Sequence, residues 1–155
     1  MSEVDRILEQ LRHAFEGNAW HGPAVLELLD TVTAESAAFR LAPNVHSIEE
    51  LVCHMAVWKD VVASRIHGHA MDPTPDQDWS RPGPADTRRW NAAVRSLRVS
   101  HDALVDATRV LTDNQLDEIL PGGRSRYDLL HGVVQHDLYH AGQIAVLVKL
   151  ATPRG

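Results

Sequence analysis

The chain has 155 residues, 44% of them apolar and 23% charged, which suits one globular domain with a sizeable core and argues against a disordered segment. Its net charge of −6, with only two lysines (Lys59 and Lys149) and scattered arginines, disfavours a nucleic-acid backbone as partner. No apolar run approaches the roughly 18–20 residues of a membrane span, no signal-peptide core opens the chain, and the lone Cys53 excludes an internal disulfide and suits a reducing cytoplasm.

Helical periodicity predicts a first helix over about Val4 to Glu16, with Val4, Ile7, Leu8, Leu11 and Phe15 on one face. Gly17-Asn18 breaks it, and Pro23 is placed to open a second helical piece through Leu29. Residues 31–45 read as a loop with one helical turn at Ala34–Phe39. A capping box, Ser47-Ile48-Glu49-Glu50, then starts a long helix to about His67, with Leu51, His54, Trp58 and Val61 facing inward. Between 68 and 85, two glycines and four prolines (Pro73, Pro75, Pro82, Pro84) preclude a helix, leaving a long connection of the kind that is often functional. Trp79 lies in it, either as an anchor pinning the loop to the bundle or as a pocket wall. A further helix runs from about Ala85 to Thr108 with Trp90, Val94, Leu97, His101 and Leu104 inward. After a connection over 109–125, the last helix spans about Ser125 to Leu150, and Pro153 cannot extend it. No segment alternates as a strand, so the expected fold is an all-α four-helix bundle with long connections, filling residues 1–155 as one domain.

The last helix carries the chemistry. His136 and His140 stand four apart, on one face, with Cβ atoms roughly 5–6 Å from each other. They fall on the line Leu129, Val133, His136, His140, Gln143, Leu147, the inward stripe of a bundle helix. Two imidazoles in a core need partners. A metal ion serves both, and a hydrogen-bonded core pair is the plain alternative. His54, at an inward position of another helix, brings the count to three. Three neutral imidazoles leave a fourth position open, the pattern of a catalytic and not of a structural site. Cys53 projects about 100° away from His54 around its helix, which makes it a packed and inert thiol and a poor ligand.

Rival schemes fit less well. His136-Asp137-x-x-His140 mimics a zinc-protease motif with a base one methylene too short, and a di-iron bundle needs carboxylates that are missing here. His101 reads as a hydrogen-bonded core histidine or a fourth ligand. His67 and His69 sit at a helix C-terminus, where cations are favoured. Candidates for a substrate pocket, or for groups that orient the ligands, are Trp20 and His21 before Pro23, Glu50, Trp79, Tyr139 and Gln143.

The motifs Ala19-Trp20-His21-Gly22-Pro23, His46-Ser47-Ile48-Glu49-Glu50-Leu51-Val52-Cys53-His54 with Trp58, and Leu130-His131-Gly132-Val133-Val134-Gln135-His136-Asp137-Leu138-Tyr139-His140-Ala141-Gly142-Gln143-Ile144 are spread over nearly the whole chain. In them the sequence resembles the DinB/YfiT-like superfamily of metal-binding four-helix bundles. That resemblance maps a three-histidine metal site onto His54, His136 and His140. It implies one divalent ion such as zinc or nickel, a homodimer, a small-molecule substrate, and kinship with transferases that attach low-molecular-weight thiols to electrophiles. The ligand set itself leaves thiol transfer, hydrolysis by an activated water, and binding without chemistry all open.

Overall fold

The computed structural model describes residues 1–80 and 83–151; Pro82 and Pro153, which figure in the sequence reading, lie outside the described residues. Its elements in order are α1 (Glu3–Phe15), α2 (Val25–Leu29), α3 (Ala34–Ala38), α4 (Ile48–Arg65), α5 (Pro75–Asp78), α6 (Thr87–Arg109), a 3-10 turn (Asp113–Gln115) and α7 (Arg126–Ala151). Four long helices and no strand appear among the described residues, as the periodicity requires. Ile119 and Ser125 make one isolated antiparallel bridge in the turn before α7.

Local chemistry explains the boundaries. The α1 N-terminus is capped by Ser2 and also by Asp113, whose carboxylate accepts from the Glu3 and Val4 amides at 2.9 and 3.0 Å. Beyond α1, Gly17 and Asn18 both adopt positive φ, which turns the chain back. The predicted capping box of α4 forms in both directions: Ser47 N donates to Glu50 Oε2 at 2.8 Å, and Glu50 N to Ser47 Oγ at 3.3 Å.

One expectation is corrected. The Pro-rich connection after α4 does hold a helix, the single turn α5, because Thr74 caps it and Pro75 occupies the first turn, where a missing N–H costs nothing.

The core falls into two apolar clusters. One gathers Val25, Leu29, Ile48, Leu51, Met55, Trp90, Leu97, Ile144 and Leu147; the other gathers Ile7, Leu8, Leu11, Val62, Ile66, Leu104, Leu130 and Val133. The stripe on α7 is displaced by about one residue from the predicted line. Leu130, Val133, Asp137, His140, Ile144 and Leu147 are its buried members, while Gln143 is exposed and His136 half-buried. Between the two clusters lies a polar level made by Lys59, Asp137 and His101, all within the core.

Candidate metal centre

α4 delivers His54 and α7 delivers His136 and His140 to one point. The Nε2 atom of His136 lies 3.0 Å from Nε2 of His54 and 3.0 Å from Nε2 of His140. One ligand atom from each of the three residues falls within 4.8 Å of the other two, and this is the one histidine-rich group of its kind among the described residues.

The outer nitrogens decide what the inner ones are. His54 Nδ1 faces the Asp78 main-chain oxygen at 3.0 Å and Asp78 Oδ1 at 2.9 Å; both only accept. His140 Nδ1 donates to Gln143 Oε1 at 2.6 Å. In these two rings, when neutral, the proton is therefore on Nδ1, and both Nε2 atoms turn a lone pair toward His136 Nε2. His136 Nε2, 3.0 Å from both, can answer at most one of these lone pairs with a proton, whereas a cation among the three nitrogens serves them all. A cation about 2.0–2.1 Å from each of two nitrogens in tetrahedral geometry holds them roughly 3.3 Å apart, so the donor set fits a divalent ion in both type and spacing. His136 Nδ1 is buried with no hydrogen-bond partner among the described residues.

Electrostatics keep the rings neutral. Burial lowers all three pKa values. His136 falls to about 3 through burial and then through His140, His54 and the Lys59 charge. At His54 burial outweighs the pull of Asp78, and at His140 it outweighs Gln143. Neutral imidazole is the form that binds metal.

Other sequence candidates surround this point in different ways. Trp79 stacks on the His54 ring at 3.9 Å with an interplanar angle of 8°, and on its other face His46 stacks at 3.6 Å and 7°. The loop is thus anchored on a ring of the cluster itself. Glu50 sits behind that stack, nearly buried: His46 Nδ1 is 3.2 Å away, and Arg40 donates at 3.0 and 3.1 Å. Burial alone would raise the Glu50 carboxyl, but Ser47, His46 and Arg40 together hold it below its ordinary value. Tyr139 meets His140 edge-on at 5.1 Å. Together with Gln143, Tyr139 lines a cavity of about 490 Å³ whose other walls are mainly Leu41, Val45, His46, Leu51 and Val146. A second cleft, about 340 Å³, reaches His136 between Trp58, Arg65, Arg124 and Gln135.

Two candidates are not brought to the cluster. Trp20 is fully exposed on the connection after α1, and His21, also exposed, borders a separate groove on α7 with Leu28, Leu138 and Ala145. The positive-φ turn at Gly17-Asn18 carries this stretch outward. His101 is a core histidine, with Lys59 Nζ 3.4 Å from its Nδ1 and Phe15 stacked on it at 3.9 Å, and it takes no part in the cluster. Cys53 is half-buried, and burial raises its thiol pKa.

Asp78 and Lys59 escaped the sequence reading, and Asp137 entered it only as a base one methylene too short. Asp78 lies in a segment read as loop, where no periodicity marks it. Lys59 did carry a signal, since Ile48, Met55, Lys59, Val62 and Ile66 form one line along α4. Asp137 did too, once the α7 stripe is centred on Leu130 and Ile144.

A model of the DinB superfamily matches residues 19–144. The chain belongs to the DinB superfamily. The matched span contains α2 to α6, most of α7 and all three histidines. No curated protein and no solved structure matches the chain. DinB membership and the three-histidine cluster agree in fitting metal binding.

Proposed function

We propose that the chain is a metal-dependent enzyme that transfers a low-molecular-weight thiol to a small electrophile, with His54, His136 and His140 as the metal ligands. The observation that carries this reading is the convergence of three neutral Nε2 atoms from two helices beside two clefts. A divalent ion such as zinc or nickel would keep its full charge among three neutral ligands and supply Lewis acidity at an open position, which lowers the proton affinity of a thiol. The chain's own residues do the rest. Burial keeps the three imidazoles unprotonated, and Asp78 and Gln143 fix two of the rings. The mainly apolar cavity beside Tyr139 offers room for the body of a small substrate. In the transfer, sulfur bonds to the electrophilic carbon, the bond to the leaving group breaks, and the thiol proton ends on that group. Because burial raises the pKa of Cys53, no thiolate of the chain itself competes as nucleophile. A homodimer in the cytoplasm belongs to the same proposal.

The test is to incubate metal-loaded protein with glutathione, mycothiol and bacillithiol in turn, each with a model electrophile, and with a model ester lacking thiol. His136→Ala is the control. Turnover that needs added thiol and disappears in the variant supports transfer. Thiol-free ester cleavage that disappears in the variant replaces transfer with hydrolysis. Binding of a thiol without any turnover leaves a binding protein.

A further inference from the structure

α5 poses a question that packing does not answer. It is a single polar turn with none of its four residues buried, yet it lies against α4. Its last residue supplies the reason. Asp78 offers two acceptors to one nitrogen, since its main-chain oxygen and its Oδ1 both lie within 3.0 Å of His54 Nδ1. The same Oδ1 accepts from Trp58 Nε1 at 2.7 Å, which fixes the carboxylate in place. The following residue, Trp79, covers one face of the His54 ring.

We propose that Asp78 is a positioning residue of the metal centre, holding His54 as its Nδ1–H tautomer and strengthening Nε2 as a donor through its negative charge. This inference rests on the reading of His54, His136 and His140 as metal ligands. The opposite tautomer would set a ring lone pair against two oxygens, neither of which can donate. A carboxylate behind a ligating imidazole raises the basicity of the nitrogen that faces the ion. The three rings differ in this respect. His140 has a neutral amide behind it and His136 Nδ1 has no partner among the described residues, so Asp78 is the carboxylate paired with the cluster. Asp78 is not itself placed as a ligand. It meets the Nδ1 edge of His54, so the ring stands between its carboxylate and the point where the three Nε2 atoms meet.

The full chain is titrated with Zn²⁺ in competition with a chromophoric chelator, comparing wild type, Asp78→Asn, Asp76→Asn and His136→Ala. Asp76 is an exposed carboxylate on the same turn and controls for the loss of one charge. Asp78→Asn should still take up one ion per chain but with an affinity lower by about 10- to 100-fold, while Asp76→Asn matches wild type. His136→Ala should lose stoichiometric uptake. Independently of any variant, imidazole ¹⁵N spectra of the metal-free wild type should show His54 protonated at Nδ1, and an Nε2–H signal would overturn the proposal. Unchanged affinity in Asp78→Asn overturns it as well. Loss of the ion altogether in a folded Asp78→Asn would make Asp78 a ligand and refute the positioning role. If wild type takes up no ion, the metal-centre reading fails and the inference fails with it.

Discussion

Lys59 Nζ lies 2.5 Å from a carboxylate oxygen of Asp137, and neither side chain has any solvent exposure. The pair joins α4 to α7 at the polar level between the two apolar clusters, one residue along α7 from His136. Burial pushes the Asp137 carboxyl up, against the pull of Lys59. Its second oxygen, Oδ1, has no hydrogen-bond partner among the described residues. Such a pair costs desolvation free energy, so its net contribution is small while the cost of breaking it is large.

Lys59→Met leaves a buried carboxylate without its cation. It is expected to destabilise the metal-free protein by about 3–5 kcal/mol, and adding Asp137→Leu should recover most of that. Urea unfolding in the presence of chelator measures both. A Lys59→Met protein as stable as wild type would mean that the carboxyl is protonated or hydrated in the folded state.

Replacing His54, His136 or His140 by Ala should each sharply reduce metal content in elemental analysis of purified protein. His67→Ala and His13→Ala, outside the cluster, should retain the wild-type content. Full stoichiometric metal in the triple alanine variant would exclude these residues as ligands.

Acid should release the metal. Protons and the ion compete for the same Nε2 lone pairs, and because burial lowers the folded pKa of all three rings, affinity holds through the reference histidine pKa of about 6.5 and falls as pH drops toward the lowered values, about 3 for His136. The stability gained from the ion declines in the same direction. Equilibrium dialysis from mildly alkaline to clearly acidic buffer reads the occupancy, and a flat profile would argue against imidazole ligands.

His101 gives a pH dependence independent of metal. Burial, then the charges of Lys59 and Arg12, hold its pKa at about 3. The folded value lies below the unfolded one, so the unfolded chain binds more protons at acid pH. The stability is complete above about 6.5 and is lost progressively as pH falls from there toward 3, at up to about 1.4 kcal/mol per pH unit. In metal-free protein the three clustered histidines act with the same sign. His101→Leu should remove one group's share of that slope, measured as urea midpoints between pH 7 and 4; an unchanged slope would show that His101 binds protons equally in the folded and unfolded chain.

Much of this arrangement is written in spacing. His54 and the His136–His140 pair reveal themselves because they interrupt apolar lines on long, periodic helices, and the Ser47–Glu50 box fixes where α4 begins. The rest depends on tertiary neighbours. Asp78 occupies a one-turn helix too short for any periodicity, and only the folded chain shows that it faces His54. Glu50 is visible as a cap, while its second role, holding His46 against Trp79, depends on where residues 40–46 run. Trp20 shows the reverse failure. A tryptophan beside a histidine and a Gly-Pro suggests a pocket, yet the positive-φ turn at Gly17-Asn18 sets it in solvent.

The contact between His54 and His136 spans 82 positions of sequence. Their Nε2 atoms meet only in the folded chain, so an ion bound by both would select that state, adding stability that grows with the logarithm of its concentration over its dissociation constant. Loading and folding would then reinforce each other: each ion captured withdraws a folded chain from the unfolding equilibrium, and each folded chain presents its two helices already clasped.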